Sequence, residues 1–247
     1  MTEPLFLAYL DDPQVGARVT LSGEEGRHAA QVRRIRTGEV IWISDGAGTA
    51  VRGPVVEVGK QQLAIDIAEV VHLPAGPVRY VAVQALPKGD RAQLAVEMLT
   101  ELGVDEIVPW QAERSVVKWG ADRVERGLTK WRAVAREAAK QSRRFRVPIV
   151  SAPLTTKELA LRIAQTSLTA VLHETAVDPI AGLDVPGSGE VMFIVGPEGG
   201  LTEDEVATFE AAGGKVVLIA DTVLRTSTAG VVALAQLQAL SARDARG

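Results

Sequence analysis

The run Val191-Met192-Phe193-Ile194-Val195-Gly196-Pro197-Glu198-Gly199-Gly200 joins an apolar strand directly to a loop with glycine on both sides of a Pro-Glu pair. Glycine has no Cβ and tolerates positive φ, so bare backbone in such a loop can approach a ligand closely. Leu201 follows, and then Thr202-Glu203-Asp204-Glu205, whose Thr-x-x-Glu spacing is a capping box that opens a helix. A second junction of the same kind lies downstream. There the apolar run Lys215–Ile219 ends in Asp221-Thr222-Val223-Leu224-Arg225-Thr226-Ser227-Thr228-Ala229, which opens the last helix. Two strand-to-loop-to-helix junctions place backbone amides at the carboxyl edge of a sheet, where open α/β sheets bind ligands. The chemistry on offer is a backbone cradle with a few charged groups around it: Glu198, Arg225, and His173-Glu174 at the end of another apolar run.

Competing chemistries lack their residues. No G-x-G-x-x-G follows a strand, and no G-x-x-x-x-G-K-[ST] occurs, since Gly214-Lys215 is followed by Val216. There is no G-x-S-x-G elbow, and His173 has no serine partner in view. The chain has no cysteine, which removes disulfides and thiolate chemistry and fits a reducing, cytoplasmic setting. Its three histidines (His28, His72 and His173) are scattered, so no metal site is expected. The start, Met1-Thr2-Glu3-Pro4, lacks the pattern of a signal peptide, and no apolar run approaches the roughly 20 residues that span a bilayer.

The elements that must position these loops fall into two expected domains, 1–73 and 74–247. The first is β-rich: Val40–Ile43, a turn at Ser44-Asp45-Gly46, Val51–Val58, a turn at Gly59-Lys60, and Leu63–Val71 read as strands of a small barrel. A helical piece precedes them, with Ala29, Val32 and Ile35 on its inner face. After the linker Leu73-Pro74-Ala75-Gly76-Pro77, strands and helices alternate. Strands are expected at Val78–Leu86, Val104–Pro109, 149–150, 168–172, 191–195 and 215–219. Between them come a helix capped by Asp90 and ended by Gly103, a long helix over 119–142, a helix near Thr156–Ala164, and those after Thr202 and Ser227. The pattern is α/β, a largely parallel sheet with covering helices.

The net charge of −4 hides an asymmetry. Residues 74–155 carry 14 Lys and Arg against nine Asp and Glu, whereas the segments on either side are acidic. Arg114–Arg146 alone holds 11 basic residues and three acidic ones. Such a segment is either a solvated helix face or an electropositive surface for phosphate.

Five segments of the chain resemble a known family. Gly196-Pro197-Glu198-Gly199-Gly200, Leu172-His173-Glu174 and Leu224-Arg225-Thr226-x-Thr228-Ala229 resemble the signature of SPOUT-superfamily RNA methyltransferases, and within it the bacterial RsmE family. His28–Gly48 resembles that family's N-terminal PUA-like β-barrel, and Glu137–Pro148 its Gln-Ser-Gly-Arg segment. The resemblance covers nearly the whole chain. It implies an α/β fold with a SPOUT-type trefoil-knotted parallel sheet, formed around 191–229, and a PUA-like β-barrel for RNA.

It further implies S-adenosylmethionine (SAM) as methyl donor, no metal, and N3 of a uridine in 16S ribosomal RNA of the small subunit as acceptor. The SAM loops would comprise Leu172 and His173; Gly196, Pro197, Glu198, Gly199 and Gly200; and Leu218 and Ile219 with Leu224, Arg225, Thr226, Thr228 and Ala229. Arg225 and Glu198 are the catalytic candidates, Arg225 for developing charge on a uracil carbonyl. Arg33, Arg34, Arg36, Lys88, Arg114, Lys140, Arg143 and Arg144 are candidates for RNA. A homodimer is implied as well. Three positions depart from the family pattern: Lys140 where Glu is usual, Arg143 where Gly is usual, and Ser227 where Glu is usual. Two alternatives stay open: a related SPOUT methyltransferase acting on a ribose 2′-OH or another RNA, and a non-catalytic RNA-binding or assembly protein.

Overall fold

The computed structural model describes residues 3–244, so Met1, Thr2 and residues 245–247, the outer ends of the two expected domains, lie outside it. The chain divides into two compact units, 1–75 with 139–147, and 76–138 with 148–247. Among the described residues no helix is long and apolar enough to cross a membrane.

The first unit is a six-stranded sheet ordered β1 (Leu5–Leu7), β3 (Val40–Ser44), β4 (Thr49–Val58), β5 (Leu63–Asp66) and β2 (Arg18–Leu21), with β6 (Glu69–His72) also on β4. Only β1 and β3 run parallel. Val40–Ser44 and Val51–Val58 become strands because Ile41, Ile43, Val51 and Val55 alternate inward onto Phe6, Leu21, Leu63 and Ile65. The expected single strand Leu63–Val71 is two strands. Ile67 N–H donates to Ala17 O, and Ala68 N–H to Arg52 O, so the chain leaves one neighbour and takes another. Gly53 makes the crossing possible, for a Cβ there would stand 2.0 Å from Asp66 O.

The helical piece is α1 (Gly23–Arg27) continued by a π turn over His28–Val32. Ala29 and Ile35 are buried as expected, but Val32 is 70% exposed. The wider turn, with Arg33 N–H bonded to His28 O, rotates Val32 off the inner face. Residues 139–147 complete this unit. Val147 N–H donates to Gly46 O at 2.9 Å, Gly48 N–H to Phe145 O at 3.0 Å, and the Phe145 ring lies 4.9 Å from that of Trp42.

The second unit is an all-parallel sheet ordered β12 (Lys215–Val217), β10 (Leu168–Leu172), β11 (Gly189–Val195), β7 (Val78–Ala85), β8 (Glu106–Trp110) and β9 (Ile149–Val150). Its strands are apolar on both faces, which requires cover on both. Val81, Val83, Val171, Met192 and Ile194 pack with Leu159 and Ile163 of α4 (Thr156–Ile163) and Phe209 of α5 (Glu203–Ala211). α2 (Arg91–Leu102) and α6 (Thr226–Asp244) pack together, and α6 also packs on β11 and β7. The inward stripe expected for the long helix is Val124, Leu128, Trp131, Ala135 and Ala138; α3 (Ala121–Gln141) buries the last four and leaves Val124 half-buried, with its basic residues outward except Lys140. Asp90 precedes α2 but its side chain accepts no capping bond, whereas Gly103 ends that helix at φ 101°.

At the amino edge of this sheet Arg79 of β7 and Arg162 of α4 meet Glu106 of β8 and Glu190 of β11. Arg162 grips Glu106 with two bonds of 2.9 and 2.7 Å and reaches Glu190 at 3.0 and 3.1 Å. Arg79 joins both carboxylates at 2.6 Å, and Ser151 donates to Glu106. Burial pushes the Glu106 carboxyl up, but the bonds from Arg162 and Ser151 and the charges of Arg162 and Arg79 outweigh it, leaving it at about 2.

Candidate functional site

β10, β11 and β12 end side by side, with Leu172 in register with Val217 and His173 N–H bonded to Val217 O at 3.1 Å. Their outgoing loops therefore converge at the carboxyl edge of the sheet. The segment after β12 runs beside the β10–β11 connection: Leu218 N–H donates to Asp178 O and Ile180 N–H to Leu218 O. Between these loops lies a cavity of about 270 Å3.

Of the residues expected there, Leu172, His173, Gly196, Pro197, Glu198, Gly200, Leu218, Ile219, Leu224, Arg225, Thr226 and Ala229 line it. Gly199 and Thr228 do not. Gly199 turns against Arg114, whose Nη1 donates to the carbonyls of Gly199 and Leu201 at 3.2 Å each. Thr228 turns its hydroxyl to Arg225 O at 3.1 Å. Arg91, Glu174, Val195, Leu201, Ala220, Thr222 and Val223 complete the wall. Glu174 belongs to the Leu172-His173-Glu174 motif, Val195 and Leu201 adjoin the glycine loop, and Ala220, Thr222 and Val223 fill the gap between Ile219 and Leu224. Arg91 had no local signal, because only the pairing of β7 with β11 brings the start of α2 to the glycine loop.

The loop is held from several sides. Thr202 and Glu205 form the expected capping box, and the buried Glu205 also accepts from Glu113 N–H at 2.8 Å. Gly200 takes φ 72°, the left-handed region that glycine occupies without strain. Glu198 Oε1 accepts from Lys88 N–H at 3.2 Å and lies 3.8 Å from Arg91 Nη1, which ties the loop after β7 to the cavity. His173 Nδ1 accepts from Thr175 N–H at 3.3 Å, which leaves the ring proton on Nε2 when the imidazole is neutral.

Arg225 is exposed at the cavity, and its guanidinium has no hydrogen bond or ion pair with a described residue. Its carbonyl accepts the N–H groups of Thr228 and Ala229 and so begins α6. The amide end of a 19-residue helix thus lies beside a free cation. Both favour negative charge in the cavity. Ser227, by contrast, is buried and does not line it.

The basic candidates separate into groups. Arg33, Arg34, Arg36, Lys88 and Arg143 are exposed, and Arg144 is half-buried. Arg114 is exposed but committed to the loop carbonyls. Lys140 overturns the expectation that it faces RNA: it is 5% exposed, with Nζ 2.8 Å from Glu25 Oε1, an internal ion pair. Arg143 takes φ 56°, a left-handed conformation natural to the glycine usual at that position.

An RNA methyltransferase domain family matches residues 74–238, and an RNA methyltransferase PUA domain family matches residues 21–68. The ribosomal RNA small subunit methyltransferase E of Mycobacterium bovis is 42% identical over 244 residues, covering 96% of this chain and 92% of the relative. The crystal structure of a ribosomal RNA small subunit methyltransferase E from Neisseria gonorrhoeae, bound to S-adenosyl methionine, superposes with a TM-score of 0.85 at 29% identity, covering 97% of this chain and 98% of that one. A Legionella pneumophila protein in complex with bound SAM gives 0.87 at 28% identity, with the same coverage. With both of its family matches in order along the chain and this likeness over nearly its full length, the chain belongs to the ribosomal RNA small subunit methyltransferase E family, of SPOUT-type fold.

Proposed function

We propose that this protein transfers a methyl group from SAM to N3 of a uridine in the 16S RNA of the small ribosomal subunit, in the cytoplasm and as a homodimer. The observation that carries the reading is the cavity at the carboxyl edge, walled by three loops, with the guanidinium of Arg225, which has no partner among the described residues, exposed at it. Its lining suits SAM. Leu172, Val195, Leu201 and Leu224 offer an apolar slot, and the backbones at Glu198 and Ala220 offer donors and acceptors to an adenine. Bound there, SAM supplies a methyl group already activated on its sulfonium, so the chain's own task is positioning and charge control.

Uridine N3 is protonated at neutral pH and attacks only as that proton passes to solvent water, which puts negative charge on the ring and its carbonyls. Arg225 and the amide end of α6 stabilise that charge, as an oxyanion hole would. Glu198 holds the Lys88 amide and faces Arg91, and so keeps the wall of the acceptor side in place. N3 lies on the pairing edge, so the uridine must be unpaired or turned out of its stack. Arg33, Arg34, Arg36 and Arg143, all exposed, are suited to flanking phosphates, with affinity falling steeply as salt rises.

The test is methyl transfer from labelled SAM to small subunits lacking the modification, with naked 16S RNA and large subunits in parallel and the product mapped by reverse transcription. N3 methylation blocks pairing, so a stop at a single uridine is expected. Incorporation without a stop would point to a ribose or non-pairing atom. SAM binding with no transfer to any RNA would favour a binding or assembly protein.

A further inference from the structure

The loop after β7, tied to the donor cavity by the bond from Lys88 N–H to Glu198, borders a second cavity. Leu86, Pro87 and Gly89 of that loop, with Val117, Trp119 and Lys130, line a space of about 200 Å3. The two cavities have no lining residue in common, but the segment from the end of β7 to the start of α2 borders both. Lys88 N–H bonds Glu198 on one side, while Pro87 and Gly89 face the other; Arg91 lines the donor cavity, and Ala92 and Gln93 the second one.

Trp119 is seated with care. Its ring stands edge-to-face with Trp131, centroids 5.4 Å apart at 74°. A Cβ on Gly127 would lie 2.5 Å from its Cζ2, so the ring needs a glycine in the interior of α3. Helix interiors disfavour glycine, and here a ring contact accounts for it. Yet Trp119 does not join the core as Trp110 and Trp131 do; solvent still reaches it. Lys130 lines the same cavity, Lys118 precedes Trp119 in the chain and Lys88 lies between Pro87 and Gly89; all three are exposed, and their ammonium groups have no hydrogen bond or ion pair with a described residue.

A fixed, accessible aromatic ring among unpaired cations is the combination that holds single-stranded nucleic acid, one base on the ring and phosphates on the cations. We propose that this cavity takes a nucleobase of the substrate RNA neighbouring the methylated uridine, stacked on Trp119, with backbone phosphates on Lys88, Lys118 and Lys130. The inference rests on the methyl-transfer reading above. It adds a subsite one loop away from the donor cavity, where a neighbour of an unstacked uridine needs a new surface to stack on.

The experiment uses the full chain, small subunits lacking the modification for kinetics, and a mixed-sequence single-stranded RNA decamer with a central uridine for binding. Trp119→Ala should raise KM for subunits roughly 5- to 150-fold with SAM affinity unchanged. Trp119→Phe keeps a stacking ring and should restore KM to within a few-fold. The decamer should quench tryptophan fluorescence of the wild type, and Trp119→Phe should abolish that quenching. Lys130→Ala should lower the slope of log affinity against log salt by about one. An unchanged KM in Trp119→Ala, a parallel loss of SAM affinity, or quenching that persists in Trp119→Phe overturns the proposal. So does a Trp119→Ala effect confined to the oligomeric state on a sizing column. If the wild type transfers no methyl group at all, the proposed function fails, and the quenching comparison alone still decides for or against the Trp119 subsite.

Discussion

Replacing Glu106 by Gln isolates the charge network at the amino edge of the second unit. Glu106 is 4% exposed, and its carboxyl falls from an ordinary 4.5 to about 2 in the folded chain. At about 1.4 kcal/mol per pH unit, that difference makes its ionised form worth about 3 kcal/mol of stability. The folded value is depressed, so the contribution is fully present above about pH 4.5 and is lost as pH falls through the folded value near 2. Glu106→Gln leaves Arg162 and Arg79 sharing Glu190 alone, and should cost about 3 kcal/mol at pH 7. The gap between wild type and variant should hold from pH 7 to 5, then close by about 1.4 kcal/mol per pH unit below 4.5. Urea unfolding at pH 7, 5 and 3.5, followed by tryptophan fluorescence, measures it, because Trp110, Trp119 and Trp131 all lie in the second unit. A gap under about 1 kcal/mol at pH 7, or one unchanged between pH 5 and 3.5, would refute the reasoning.

Arg225→Ala should lower kcat for methyl transfer by about 100-fold or more while isothermal titration finds SAM affinity unchanged; retained turnover would make Arg225 structural. Gly200→Ala has room for its Cβ, 3.6 Å from Glu174 Oε1, but must hold φ 72°. The strain should weaken SAM binding roughly 5- to 30-fold in the same titration. Lys140→Ala breaks a buried pair and should lose about 3 kcal/mol in urea unfolding without changing the salt dependence of RNA binding. Arg143→Gly should do the reverse: neutral to about 1 kcal/mol stabilising, with the salt slope reduced by about one.

The loops of the site were legible because each is contiguous and punctuated by residues with one backbone purpose, such as Gly200 at positive φ and the Thr202–Glu205 box. Strands buried on both faces, such as 191–195, announce themselves as apolar runs. What was hidden depends on register or on distant pairing. Val32 matches a helical stripe, yet one wide turn puts it in solvent. Leu5–Leu7 is only three residues and becomes a strand by pairing with Trp42–Ser44, far along the chain. Arg91 reaches the cavity through a parallel pairing that no local pattern encodes. Lys140 sits in a basic run, and its burial follows from Glu25, 115 positions away.

Residues 139–147 carry a consequence for how the chain is made. Ser44, Gly46 and Gly48 in the first unit bond to Phe145 and Val147, which the ribosome adds only after all of α3. At about 5–20 residues per second, the N-terminal sheet waits roughly 4–14 s between its own last strand and the segment that completes it. The nascent chain must therefore carry an unfinished first unit while residues 76–138 of the second are being translated. A gene cut after codon 75 would yield a fragment with the apolar face of Trp42 uncovered, prone to associate with itself. The two halves are inherited, synthesised and matured as one.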